Sequence, residues 1–152
     1  MILTSVAVSG GAWAAAICTG SATGIAFGRY NQLSSSPVDS TITVQCSKDS
    51  GAPTILNYTI LLSAGQSGSF APRKMASGAN RFGYNLYTDA ARLRVWDTGA
   101  SGAVTVSSAV NLRLRGKSVD PANFGVYGCM PGGQNVPAGS YSDTNTVTVN
   151  YQ

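Results

Sequence analysis

Short runs that alternate apolar and polar residues, each closed by Gly, Pro, Asn or Asp, recur along the whole chain. "STITVQC" (40–46) sets Ile42, Val44 and Cys46 on one face. Similar runs are "TGIAFGRY" (23–30), "LNYTILLS" (56–63), "FGYNLYT" (82–88), "LRVWDTG" (93–99), "AVTVSS" (103–108), "VNLRLRG" (110–116), "FGVYGCM" (124–130) and "TNTVTVNYQ" (144–152). No stretch carries the period of an amphipathic helix three turns long. Strand-length runs separated by turn chemistry predict an all-β sandwich. Its 152 residues suit one domain, and no internal repeat or linker divides them.

The aromatic segment "NRFGYNLYTDAARLRVW" (80–96) reads as part of a wall. Phe82, Tyr84 and Leu86 share a face and belong to the core, Tyr87 packs at an edge, and Val95 and Trp96 fall on opposite faces. Asp89 and Asp97 are the only acids near one another there, and both sit in turn-forming contexts that Asp favours.

The residue types present narrow the chemistry. With no His, neither a Ser-His-Asp nor a Cys-His nucleophile can be built, nor a His-ligated zinc site. The acids are six scattered Asp and no Glu, which removes the two-Glu glycosidase pair and gives no calcium loop. The turn glycines of "SGG" and "GGQ" precede no helix pattern and make no phosphate loop. We expect no enzyme, no cofactor and no metal. The net charge of +4 is spread out, its densest clusters being Arg73–Lys74 and Arg113 with Arg115, so no nucleic-acid face is expected.

Residues 1–17, "MILTSVAVSGGAWAAAI", carry no charge and turn from apolar to small before Cys18. Ala12-Trp13-Ala14 fits a signal peptidase site, so 1–14 reads as a signal-peptide remnant and 15–152 as the folded domain. The segment is too short for a membrane span. The alternative is an ordinary first strand, because Ile2, Thr4, Val6 and Val8 alternate with Leu3, Ser5, Ala7 and Ser9. Export places Cys18, Cys46 and Cys129 in an oxidising compartment, where one disulfide leaves one thiol over. A Cys18–Cys46 bridge would pin the N-terminus to a neighbouring strand, and Cys129 then reads as a small buried residue or free thiol.

Several long phrases stand in one order: "CTGSATGIAFGRYNQLSSSPVDSTITVQC", "YTILLSAGQSGSFAPRKM", "YNLYTDAARLRVW" and "VYGCMPGGQNVPAGSYSDTNTVTVNY". In this the chain resembles the spore coat protein U domain family, which is similar to the pilins of archaic, Csu-type chaperone–usher pili. It departs at Cys129, where a polar residue is common, and at Asn145, which interrupts a usually more apolar last strand. The resemblance implies an incomplete immunoglobulin-like β-sandwich that lacks its last strand and is completed by donor-strand addition. It also implies the Cys18–Cys46 disulfide. The implied partners are a periplasmic pilus chaperone, an outer-membrane usher and a neighbouring subunit. Tyr151 and Gly139, the latter fourteen positions from the end, match the family's chaperone-binding strand. Parity together with the missing strand assigns Val147, Val149 and Tyr151 to one side of the groove, and Ile25 and Phe27 to the other.

The expected function is therefore a secreted structural subunit of a surface pilus, at its tip or terminus, serving attachment and biofilm formation. Cleavage after Ala14 would leave too little chain to donate a strand, since a slot needs about ten residues at ~3.3 Å each. Retention of 1–17 would make a shaft subunit. "NQLSSSPVD" (31–39), "AGQSGSFAPRKM" (64–75) and "GGQNVP" (132–137) are the candidate surface-binding loops. The alternatives are a spore coat or extracellular matrix protein of the same fold, and a carbohydrate-binding module using Tyr30, Tyr58, Trp96 and Tyr127.

Overall fold

The computed structural model describes residues 2–10, 16–48, 54–100, 104–113 and 121–151. The strands are β1 (Ile2–Gly10), β2 (Ala16–Ala22), β3 (Ser36–Lys48), β4 (Thr54–Leu62), β5 (Arg73–Ser77), β6 (Asn80–Tyr87), β7 (Val106–Leu112), β8 (Ala122–Met130) and β9 (Asp143–Tyr151). One sheet has the order β1-β9-β4-β7 and the other β2-β3-β8-β6-β5. This is an all-β, immunoglobulin-like sandwich.

Alternation decides what each strand buries. β3 turns Ile42, Val44 and Cys46 inward, β4 turns Leu56, Tyr58, Ile60 and Leu62 inward, and β9 contributes Val147 and Val149. Full burial of one such aliphatic side chain contributes about 1.5–3 kcal/mol, so these facing rows hold the two sheets together. Phe82, Tyr84 and Leu86 of β6 lie in the core and Tyr87 is half-buried, as the sequence predicts. The disulfide joins Cys18 to Cys46, which are register partners on β2 and β3, and Cys129 is a half-buried free thiol.

The structure differs from the sequence reading in several segments, adding strands β2 and, in the 64–75 segment read as a loop, β5. "TGIAFGRY" is not a strand: β2 ends at Ala22, and 23–30 follow an irregular path in which Ile25 forms only a bridge. Gly28 takes φ +74 there, a left-handed conformation that ends an extended run. "LRVWDTG" forms only isolated bridges, Val95 to Tyr87 and Trp96 to Val104, because Trp96 turns fully into the core and Asp97 accepts the Gly99 N–H in a turn. The runs "AVTVSS" and "VNLRLRG" merge around the single strand β7, with 114–120 outside the described residues.

Candidate strand-accepting edge

β9 lies between two strands. On one side it pairs antiparallel with β4, from Tyr151 opposite Tyr58 to Val147 opposite Leu62. On the other it pairs parallel with β1, from Ile2 opposite Asp143 to Gly10 opposite Tyr151. The segment with two sequence readings, leader or strand, thus forms β1 and covers an edge that would otherwise present a row of open N–H and C=O groups. The Ala12-Trp13-Ala14 site lies outside the described residues.

The residues assigned to the groove fall into two places. Val147 and Val149 are fully buried on the inner face of β9, and half-buried Tyr151 continues their row. Ile25 is a core residue of the irregular segment, with 4% of its surface exposed. Phe27 and Gly139 instead line a cleft of about 910 Å³ with Tyr30, Met75, Phe82 and Tyr141. The cleft opens where β9 begins, since its wall at 136–141 leads into Asp143. Its floor is an aromatic stack, with Phe82 edge-on to Tyr30 at 4.5 Å and to Tyr141 at 5.4 Å.

The first half of β9 is polar, which the apolar pattern of its second half does not announce. Asp143 and Asn145 are buried, at 1% and 0% exposure. The Tyr84 hydroxyl donates to Asp143 Oδ2 at 2.7 Å and accepts from Asn145 Nδ2 at 2.6 Å. Asp143 Oδ1 accepts the backbone N–H of Gln66 and of Thr144, both at 2.8 Å. Burial pushes the Tyr84 phenol well above its ordinary range, so it stays protonated as the donor.

Beside this network lies Arg73, which the sequence presents as part of a basic cluster and the fold buries completely. Its guanidinium donates to Ser63 O at 3.0 Å, Asn85 Oδ1 at 2.9 Å and Trp96 O, and lies 4.7 Å from the Phe70 ring centroid. Burial pulls its pKa down to about 10, which leaves it charged at neutral pH. Arg73 therefore ties the 63–72 link, β6 and the 96–97 turn together behind the start of β9.

The other candidates separate clearly. The loops 31–39 and 132–137 interlock, Gly133 N donating to Gln32 O at 2.8 Å and Gln32 Nε2 to Gln134 O at 3.3 Å. The 64–75 segment reaches the start of β9 through Gln66, so all three loops gather at that end of the sandwich. Tyr58 and Trp96 are core, Trp96 Nε1 donating to Ile60 O at 3.0 Å, which leaves neither ring for a sugar. Tyr30 lines the cleft, and Tyr127 is half-buried near Arg92. Asp89 spends its carboxylate on the N–H groups of Leu93 and Arg94, as a turn residue does. Among the described residues no group of three or more His, Cys, Asp or Glu forms a metal cage, and no helix is long and apolar enough to cross a membrane.

The model of the Spore Coat Protein U domain matches residues 2–148, which includes β1 and the first six of the nine residues of β9. The chain belongs to the spore coat protein U domain family. A similar relative is Protein U of Myxococcus xanthus, 32% identical over 112 residues, covering 72% of this chain and 58% of Protein U. A similar solved structure is the CsuC–CsuE chaperone–tip adhesion subunit pre-assembly complex from archaic chaperone–usher Csu pili of Acinetobacter baumannii. The likeness has a TM-score of 0.55 at 24% identity and covers 88% of this chain and 39% of the matched one, a likeness of fold. This spore coat protein U domain thus spans little more than half the length of Protein U and less than half of that chain.

Proposed function

We propose that this domain is a secreted structural subunit of a chaperone–usher surface fibre, exported through the periplasm for attachment and biofilm formation. The observation that carries this reading is the β9 edge, flanked by a strand that is its neighbour in space but lies at the far end of the sequence. A flanking strand of this kind can be exchanged for the same strand of another copy, or for a chaperone strand, without remaking the rest of the core. Family membership and the likeness of fold to a chain of a chaperone–subunit complex support it. The partners are then a periplasmic chaperone, an outer-membrane usher and a neighbouring subunit.

The fate of residues 2–10 fixes the position in the fibre. Cleavage after Ala14 would give a subunit that accepts a strand and donates none, as a tip or terminal adhesive subunit must. The three loops gathered at one end would then supply its adhesive surface. The pairing of β1 with β9 favours a second reading, in which 2–10 are kept and donated to the next copy. Intact mass of the exported protein separates the two. Replacing both Val147 and Val149 with Asp tests the slot itself: capture by the co-expressed chaperone should be abolished. Undiminished co-purification of that variant would overturn the proposal.

A further inference from the structure

The cleft of about 910 Å³ near the start of β9 takes no part in the pairing of β9 with β1 or β4. Its size and its mostly apolar lining suit a small-molecule site, where a few polar groups fix the orientation of an apolar body. Phe82, Met75 and Met130 are buried at its base, and Tyr30 and Tyr141 both meet Phe82 edge-on. A further flat ring extends such an edge-on stack, and methionine sulfurs make favourable contacts with ring edges.

Most of the polar groups of the wall are already spent. The Tyr30 hydroxyl donates to Pro131 O at 3.2 Å and accepts the Gln134 N–H at 2.8 Å. The Tyr141 hydroxyl donates to Pro137 O at 2.9 Å, and Gln32 Nε2 donates to Gln134 O at 3.3 Å. The side-chain donors of the wall with no partner among the described residues are the Arg29 guanidinium and the Ser140 hydroxyl. A sugar, which needs a hydrogen-bond partner for nearly every hydroxyl, is poorly served by so few donors. Arg29 is exposed and is the only charged residue lining the cleft. The described acids are engaged elsewhere: Asp39 with Arg92, Asp89 and Asp97 with turn N–H groups, and Asp143 with Tyr84. One unpaired cation thus stands over an aromatic base.

We infer that the cleft is a binding site for an aromatic carboxylate, its carboxylate held by the fork of Arg29 and its ring set against Phe82, Tyr30 and Tyr141. The site is separate from the strand-accepting edge, so either reading can fail without the other.

Titration of the isotope-labelled full chain with naphthoate, followed by amide chemical shifts, tests this. Saturable shifts should centre on 26–32 and 136–141, with a Kd of about 1 mM or tighter, as a ligand of this size reaches at modest efficiency. Arg29→Gln should weaken naphthoate about five- to tenfold and leave the neutral naphthalenemethanol unchanged, because one charge-assisted pair, partly screened by water, is lost. Ala138→Trp or Ala26→Trp, at exposed positions of the wall, should fill the cleft and abolish binding with little change in Tm. Absence of saturable shifts at the cleft overturns the site. Equal affinity for the acid and the alcohol, or an Arg29→Gln variant that binds naphthoate undiminished, overturns the role of Arg29 and with it the carboxylate. Tighter binding of glucuronate or of decanoate than of naphthoate overturns the aromatic body.

Discussion

Replacing Tyr84 with Phe keeps the buried ring and removes a single oxygen. That oxygen is the donor to Asp143 Oδ2 and the acceptor for Asn145 Nδ2, so one deletion orphans two buried groups. Each orphaned group costs about 1–3 kcal/mol, more where it is charged. Partial relaxation toward the cleft lowers the total, and we expect a loss of about 3 kcal/mol. For a domain of this size each kcal/mol lowers Tm by about 2–4 °C, giving a drop of roughly 6–12 °C. Urea unfolding at neutral pH, followed by tryptophan fluorescence, measures it, with an unchanged m-value expected because the core outline is kept. A double-mutant cycle with Asn145→Val should return a coupling of about 1 kcal/mol or more. A loss under about 0.5 kcal/mol, or no coupling, would refute the claim that this hydroxyl organises the start of β9.

Three further outcomes follow from the same geometry. Gly65 has φ +69, and a Cβ there falls on the Asp143 carboxylate, so Gly65→Ala should destabilise by several times the roughly 1 kcal/mol expected at Gly133, whose Cβ meets nothing; paired thermal melts compare them. Arg73→Lys keeps the charge but loses the fork that reaches Ser63, Asn85 and Trp96 together, and should cost about 2–4 kcal/mol in denaturant unfolding. Opening the Cys18–Cys46 bridge, separated by 28 positions, should cost about 3–4 kcal/mol by chain entropy, read as the stability difference with and without reductant in a Cys129→Ser background.

What the sequence reveals is whatever local alternation controls. Ile42, Val44 and Cys46, the Phe82–Tyr84–Leu86 row, and Val147 with Val149 are legible because a period of two fixes their face whatever surrounds them. The path of 23–30 is not, because its apolar residues pack into the sandwich from an irregular segment and Gly28 breaks the run. Arg73 reads as a surface cation because its partners are two carbonyls and an amide as many as 23 positions away, and only the fold brings them together. Asn145 reads as an interruption of an apolar strand. Its meaning comes from Tyr84, 61 positions earlier, whose hydroxyl accepts its Nδ2 hydrogen bond. The leader-like composition of 1–17 and its alternation are equally visible in the sequence, and pairing with β9 is the additional observation that favours the strand.

The central claim is that the strand beside β9 is exchangeable between copies. Two versions of the subunit, both Cys129→Ser, one with Ala7→Cys and the other with Thr148→Cys, should be co-expressed in the host with its neighbouring genes. Surface fibres sheared from these cells should contain a disulfide-linked dimer of the two versions, formed because β1 of one copy lies on β9 of the next. Fibres in which the two versions never cross-link, while a single chain carrying both substitutions bridges fully within itself, would contradict the claim.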